Sequence, residues 1–243
     1  MKNMTISAKL FISAMAAAGV AALAVGLMQW ECKGTVCFLS FLIIALITSR
    51  LKVKLPGTNG NMSVNLPFLL TAIVNLSAAE AVAITCVSTV VQCWPRKDAK
   101  FKPEQMAFNL SMMAFATTLA SLIFHAQWFF RTGWSSNPAG MVLAAATLFV
   151  GQTAPVAAIV ALSESKAAGP IWWNLAHLSF PYYVLSAGVV SMVQTVGAHM
   201  GWELALAVLP VMYGIHRSFR LYFGAKAETP QPEGLVRAVG AGA

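Results

Sequence analysis

The chain has 243 residues, of which 58% are hydrophobic and only 10% charged, with a formal net charge of +8. A soluble domain carries roughly a quarter charged residues to cover its core, so water is not the main solvent of this sequence. Nucleic-acid binding is excluded as well, because Lys and Arg sit at the ends of apolar runs and form no stripe on a soluble face.

Apolar runs close to the ~20 residues that cross a hydrocarbon core predict an all-α, polytopic membrane bundle. It occupies residues 1–224, with a short disordered cytoplasmic tail at 225–243, where Pro230, Pro232 and several Gly and Ala end the pattern. The first span is expected at Leu10–Met28. Lys2 and Lys9 precede it as they would a signal peptide, but the run exceeds a typical h-region of roughly 7–15 residues and ends at Gln29 and Trp30 without a small-residue cleavage site.

The next runs are Val36–Thr48, Val64–Leu76 and Ala78–Gln92, followed by Met106–Phe124, Met141–Leu162, Ile171–Val196 and Leu204–Tyr222, about eight spans in all. The third and fourth are short, and Asn75, Ser77 and Glu80 mark a polar turn between them. Two crossings and a re-entrant pair both fit, since irregular backbone is tolerated at membrane depth only where protein or water satisfies it. Between the second and third runs, Leu55–Ser63 reads as a flexible turn. Its glycines, Gly57 and Gly60, form neither a GxGxxG nor a Walker pattern.

Positive residues orient the bundle. Lys2, Lys9, Arg50, Lys52, Lys54, Arg96, Lys97, Lys100, Lys102, Lys166, Arg217, Arg220, Lys226 and Arg237 fall on one side, leaving Lys33 and Arg131 on the other, so both termini are expected in the cytoplasm. Tryptophans favour the headgroup level and agree: Trp30, Trp128, Trp134 and Trp202 fall at outer ends, Trp94, Trp172 and Trp173 at inner ends. Cys86 and Cys93 lie within one apolar helix and read as small hydrophobes, whereas Cys32 and Cys37 flank an outer turn where a disulfide can form.

Polar residues in hydrocarbon are costly, so each is either a functional group or interhelical glue. An inner layer collects Ser63, Asn65, Asn109, Ser111, Asn174 and His177, with Arg217 and Arg220 at the cytoplasmic end of the last helix. It reads either as a polar pocket or as a packing network around breaks near Pro67 and Pro181. Asn174 and His177 are three apart and share a helix face. An outer layer holds Asn75, Glu80, His125, His199 and Glu203, with Gln194 slightly deeper. These lack HExxH or CxxC spacing, so neither a metal nor another cofactor is expected. Glu80 is either an exposed carboxylate at the N-terminal end of the next helix or a buried acid able to respond to pH or a cation. Pro67, Pro155, Pro181 and Pro210 lie within apolar runs and are expected to bend or break them. No nucleophile elbow, paired carboxylates or Ser/His/Asp spacing supports catalysis.

Four segments carry a family resemblance: Leu55, Pro56 and Gly57 leading to Met62–Pro67; Phe108 with Asn109; Trp172, Trp173 and Asn174; and Leu209 with Pro210 leading to Arg217–Tyr222. In this order they resemble the multi-span membrane sensor module that precedes HD-GYP and GGDEF output domains in bacterial cyclic-di-GMP proteins. The resemblance implies an input domain in the bacterial inner membrane that passes a change through its last helix. Residues 223–243 carry neither output sequence, so a separate cytoplasmic partner, or reuse of the module alone, is expected.

The expected function is a stand-alone sensor in the lipid bilayer. It binds a small molecule through Asn65, Asn109, Asn174, His177 and Glu80, couples through Arg217 and Arg220 to a cytoplasmic signalling partner, and is open to homo-oligomer formation. A transport component is the alternative, and a membrane enzyme acting on lipid is a third.

Overall fold

The computed structural model describes residues 5–28, 34–50, 52–54, 61–63, 65–95, 103–126 and 137–200, with Pro210, Gly214, Arg217 and Ser218 of the last predicted span; at 52–54, 61–63, 137–138 and 196–200 it describes the backbone alone. Among these residues seven helices form: α1 (Ile6–Met28), α2 (Thr35–Ser49), α3 (Leu66–Asn75), α4 (Ala78–Cys93), α5 (Pro103–Phe124), α6 (Asn137–Glu164) and α7 (Ala168–Met200). Four of them, α1, α5, α6 and α7, are long and apolar enough to cross a membrane. The architecture is consistent with a helical membrane bundle. The predicted Leu204–Tyr222 span lies largely outside the described residues, as do Arg220 and the 225–243 tail; Pro210, Gly214, Arg217 and Ser218 are helical and exposed.

One small departure from an all-α chain occurs between α2 and α3. Strand β1 (Lys52–Lys54) pairs antiparallel with β2 (Asn61–Ser63), in the register Lys52 to Ser63, Val53 to Met62 and Lys54 to Asn61. The segment read as a flexible turn therefore ends in a short ladder, which satisfies backbone groups just before the chain enters the bundle.

Helix α5 is the central post. It packs against α1, α4 and α6, while α7 lies along α6 and α2 along α4. Close approach is made possible by small residues. The inward stripe of α1 is Ala8, Met15, Gly19, Ala22 and Gly26. A Cβ on Gly19 would lie 2.6 Å from Ser111 Cα in α5, and one on Gly151 of α6 would lie 2.8 Å from Ala116 Cβ. Small residues let helix backbones come together where no hydrophobic effect drives association, and here Thr118 Oγ1 adds an interhelical hydrogen bond to the Ala22 carbonyl at 3.3 Å. The other faces of α1 and α2 carry Leu10, Val20, Leu27, Val36, Ile43 and Ile47 outward.

The prolines behave differently from one another. Pro67 stands in the first turn of α3, where its missing N–H is harmless, so it starts the helix and does not break it. Pro155 and Pro181 sit inside continuous helices, α6 and α7. Helix α6 ends at Ser165, whose φ of 53° is left-handed, and the Lys166 N–H returns to the Ala161 carbonyl at 3.0 Å. This is a Schellman-type stop, and it turns α7 back along α6.

Gly19→Ala is expected to lower the thermal unfolding midpoint in detergent micelles, because its Cβ meets backbone and overpacking costs about 1–3 kcal/mol. Gly188→Ala, with no atom within 4 Å of the new Cβ, is expected to leave the midpoint unchanged or slightly raised.

Candidate functional site

Helix α3 is the most enclosed element. Every residue from Leu66 to Ile73 is buried, so the helix is surrounded on all faces, as its almost wholly apolar sequence requires. It touches α2, α4, α5, α6 and α7. Its ten residues rise only about 15 Å. Both ends therefore stop among other helices, and their backbone groups need partners there.

The N-terminal end finds them in three places. The Asn65 carbonyl accepts the N–H groups of Phe68 and Leu69, at 3.0 and 3.1 Å. Asn65 is itself buried, and its side chain caps nothing; Nδ2 instead reaches Ser88 Oγ of α4 at 3.5 Å. From α7, the phenol of Tyr182 hydrogen-bonds the Leu66 backbone. At the other end the Leu76 N–H returns to the Ala72 carbonyl at 2.9 Å, and Asn75 Nδ2 donates to the Thr71 carbonyl at 2.9 Å.

Immediately beyond, Ser77, Ala78, Ala79 and Glu80 form a capping box that opens α4. The Glu80 N–H donates to Ser77 Oγ at 3.3 Å, while Glu80 Oε2 accepts from both the N–H and the Oγ of Ser77 at 3.0 Å. Glu80 is only 5% exposed. Of the two readings of Glu80, burial is the one observed: it stands in the first turn of α4, and α1, α2 and α3 pack against that helix. The helix N-terminus and two donated hydrogen bonds replace its lost hydration.

A string of hydroxyls runs down the inner face of α4 from Thr85 to Thr89. Thr85 Oγ1 bonds the Ala81 carbonyl, Thr117 Oγ1 of α5 donates to Thr85 Oγ1 at 3.3 Å, and Ser88 Oγ and Thr89 Oγ1 both bond the Thr85 carbonyl. Through Ser88 this string meets Asn65, so the start of α3, the middle of α4 and the middle of α5 share one buried polar path. Sequence reasoning passed over Thr85, Ser88 and Thr89. Their spacing of three and four, which puts them on one helix face, was the available signal.

The remaining predicted residues do not join this path. Asn109 is half-buried and donates to Cys93 Sγ at 3.4 Å, between α5 and the last turn of α4. Asn174 and His177 share a face as expected, but that face of α7 is exposed, so the structure does not bring them to Asn65 or Asn109. Asn75 spends its amide on its own helix. His125 is exposed, with Nδ1 3.0 Å from the Ser121 carbonyl, and Gln194 is half-buried. The side chain of His199 and all of Glu203 lie outside the described residues, as does Cys32; Cys37 carries a free thiol in α2. Among the described residues no three of His, Cys, Asp and Glu gather into a metal-ligand set.

A second polar cluster, not anticipated from sequence, joins α6 to α7. Tyr183 Oη donates to Gln152 Oε1 at 2.7 Å, and Trp172 Nε1 donates to Thr153 Oγ1 at 3.1 Å. Phe149 stands edge-on to both Phe180 and Tyr183.

Comparison with protein-family models, curated proteins and solved structures finds no match to this chain. The candidate site therefore rests on its own geometry.

Glu80→Gln preserves the acceptor that the capping box uses, so its effect on the unfolding midpoint in micelles is expected to be small. Ser77→Ala is expected to cost about 1 kcal/mol, the usual loss for an N-cap. Adding Ser77→Ala to Glu80→Ala should then cost less than the sum of the two single changes, because the bond from Ser77 Oγ to Glu80 Oε2 is lost in both.

Proposed function

We propose that this chain is a sensor or ligand-binding module of the bacterial inner membrane, with the α3–α4 hairpin as its responsive element. The observation that carries the proposal is the short α3, buried from Leu66 to Ile73 and broken from α4 at a turn that holds the Glu80 carboxylate at 5% exposure. Short interrupted apolar segments whose ends lie among other helices are where membrane proteins place binding groups. A buried carboxylate in such a segment is a costly feature to keep for packing alone.

On this reading the bundle has about eight crossings, with both termini cytoplasmic. The level of their turn bears on how α3 and α4 enter, as two short crossings or as a re-entrant pair. A Cβ on Gly26, near the end of α1, would lie 3.8 Å from Ala79 Cα, so the turn reaches the far end of the 23-residue α1. A small molecule, or a change in the membrane, acts on the Asn65–Ser88–Thr85–Thr117 path and on Glu80. The response passes through the last helix, with Arg217 and Arg220, to a cytoplasmic partner. Asn109 borders the same region from α5; Asn174 and His177 would serve it only as an outward-facing surface of α7.

A transport component remains the second reading, favoured by the same broken hairpin, because discontinuous helices also mark translocation sites. Two experiments separate the readings. In the first, the full chain in nanodiscs is screened against small polar molecules by thermal shift. A compound that raises the midpoint of the unaltered chain should lose its effect in Asn65→Ala and Glu80→Gln, with helicity retained; equal shifts in all three would reject the site. In the second, solute flux through proteoliposomes that contain this chain alone would reject a pure sensor and favour transport.

A further inference from the structure

We propose that the α6–α7 interface around Gln152 binds the carbonyl oxygen of a neutral, lipid-borne molecule, at a site separate from the α3–α4 hairpin. The starting point is an unmet donor. Gln152 Nε2 is buried and has no hydrogen-bond partner, while Oε1 of the same amide is held by the hydroxyl of Tyr183 at 2.7 Å. That bond uses the single tyrosine proton and leaves the amide N–H groups without a partner. A primary amide nitrogen donates only, so what completes it must present an acceptor. Leaving such a donor unmet is unfavourable, and most buried polar groups have a partner.

The surroundings define the acceptor's chemistry. The charged pair nearest in sequence on these helices, Lys166 with Glu164, is closed on itself at 2.7 Å in the turn beyond α6, with both side chains more than half exposed. No other Lys, Arg, Asp or Glu occurs among the described residues of α6 and α7, so these two helices offer Gln152 no ion that would recruit a charged ligand. The walls are aromatic: Phe149 packs edge-on against Tyr183 and Phe180, with ring centroids 5.1 and 5.8 Å apart. Phe180 is 56% exposed and Val150 50%, so the outer edge of this ring set opens laterally to the lipid side of the bundle. Rotation of the exposed Phe180 ring gives an apolar molecule a way in without crossing water.

Depth narrows the choice. Gln152 stands near the middle of the 28-residue α6, about 18 Å along the axis from its end, so its acceptor must reach well below the headgroups. Neutral acceptors borne on long apolar tails are carbonyl oxygens. Two sources carry them: the ring carbonyl of an isoprenoid quinone and the acyl ester of a diacyl phospholipid. Their shared chemistry is a neutral oxygen acceptor on a hydrocarbon tail, accepting from Gln152 Nε2 while the ring or chain packs against Phe149 and Phe180.

The test uses the full chain in nanodiscs made from diether phosphatidylcholine, which has no acyl carbonyl. Titration with a short-chain benzoquinone is followed by quenching of tryptophan fluorescence and by the thermal midpoint. A quinone site predicts saturable quenching that weakens about tenfold in Gln152→Leu, the loss of one good hydrogen bond. An ester site predicts no saturable quenching, but a higher midpoint in diester than in diether nanodiscs, a difference that Gln152→Leu removes. Tyr183→Phe keeps the ring and releases the amide, and is expected to give part of the same loss; it serves as the readout if Gln152→Leu does not fold. The proposal is overturned if Gln152→Leu, or Tyr183→Phe in its place, behaves as the unaltered chain in both arms. The compound shifts tested with Asn65→Ala and Glu80→Gln use polar molecules and involve neither quinone nor ester, so failure here and failure of the hairpin site remain distinguishable.

Discussion

A ten-residue helix buried on every face has no water at its ends, so the groups it cannot bond internally must be met by its neighbours. Helix α3 imposes this demand on the rest of the bundle. Asn65, Ser88 and Tyr182 attend to its start, and the Ser77–Glu80 box takes over directly after its end. These partners come from α4 and α7, and the hydroxyl path continues to α5. The relative positions of four helices are thereby tied to one short element.

The wider bundle is arranged so that this element can be enclosed. Glycine and alanine contacts bring α1 and α6 close against α5, at Gly19 with Ser111 and at Gly151 with Ala116. Close backbones leave little room for large side chains there, and bulk collects elsewhere: Phe68, Leu69, Leu70 and Ile73 of α3 itself and Phe41 of α2 are fully buried. Because apolar residues also face outward on α1, α2 and α7, hydrophobicity alone does not hold these helices together. Packing and interhelical hydrogen bonds do.

The polar residues divide accordingly. Those on the Asn65–Thr117 path and in the Ser77–Glu80 box are satisfied and structural, whatever further role they play. Gln152 retains a buried amide nitrogen without a partner. Asn174 and His177 are exposed on α7 and stand apart from both buried networks. Burial, then, separates residues that a composition-based view had placed in a single layer.

The helical character, the four long apolar helices and the short pair near residues 64–92 were legible in sequence, because apolar length is a local property that the low dielectric of lipid turns into helix. The capping pattern from Ser77 to Glu80 was local too, and marked where α4 begins. Which face of each helix turns inward was not legible. Nearly every face of α5 and α6 is apolar, so periodicity offered no inner side, and Asn174 and Asn65 looked alike. Only the packing of α3 against five other helices decided that Asn65 and Glu80 are enclosed and that His177 is not. Partners such as Tyr182 with Leu66, or Tyr183 with Gln152, lie far apart in the chain, and tertiary contact alone joins them.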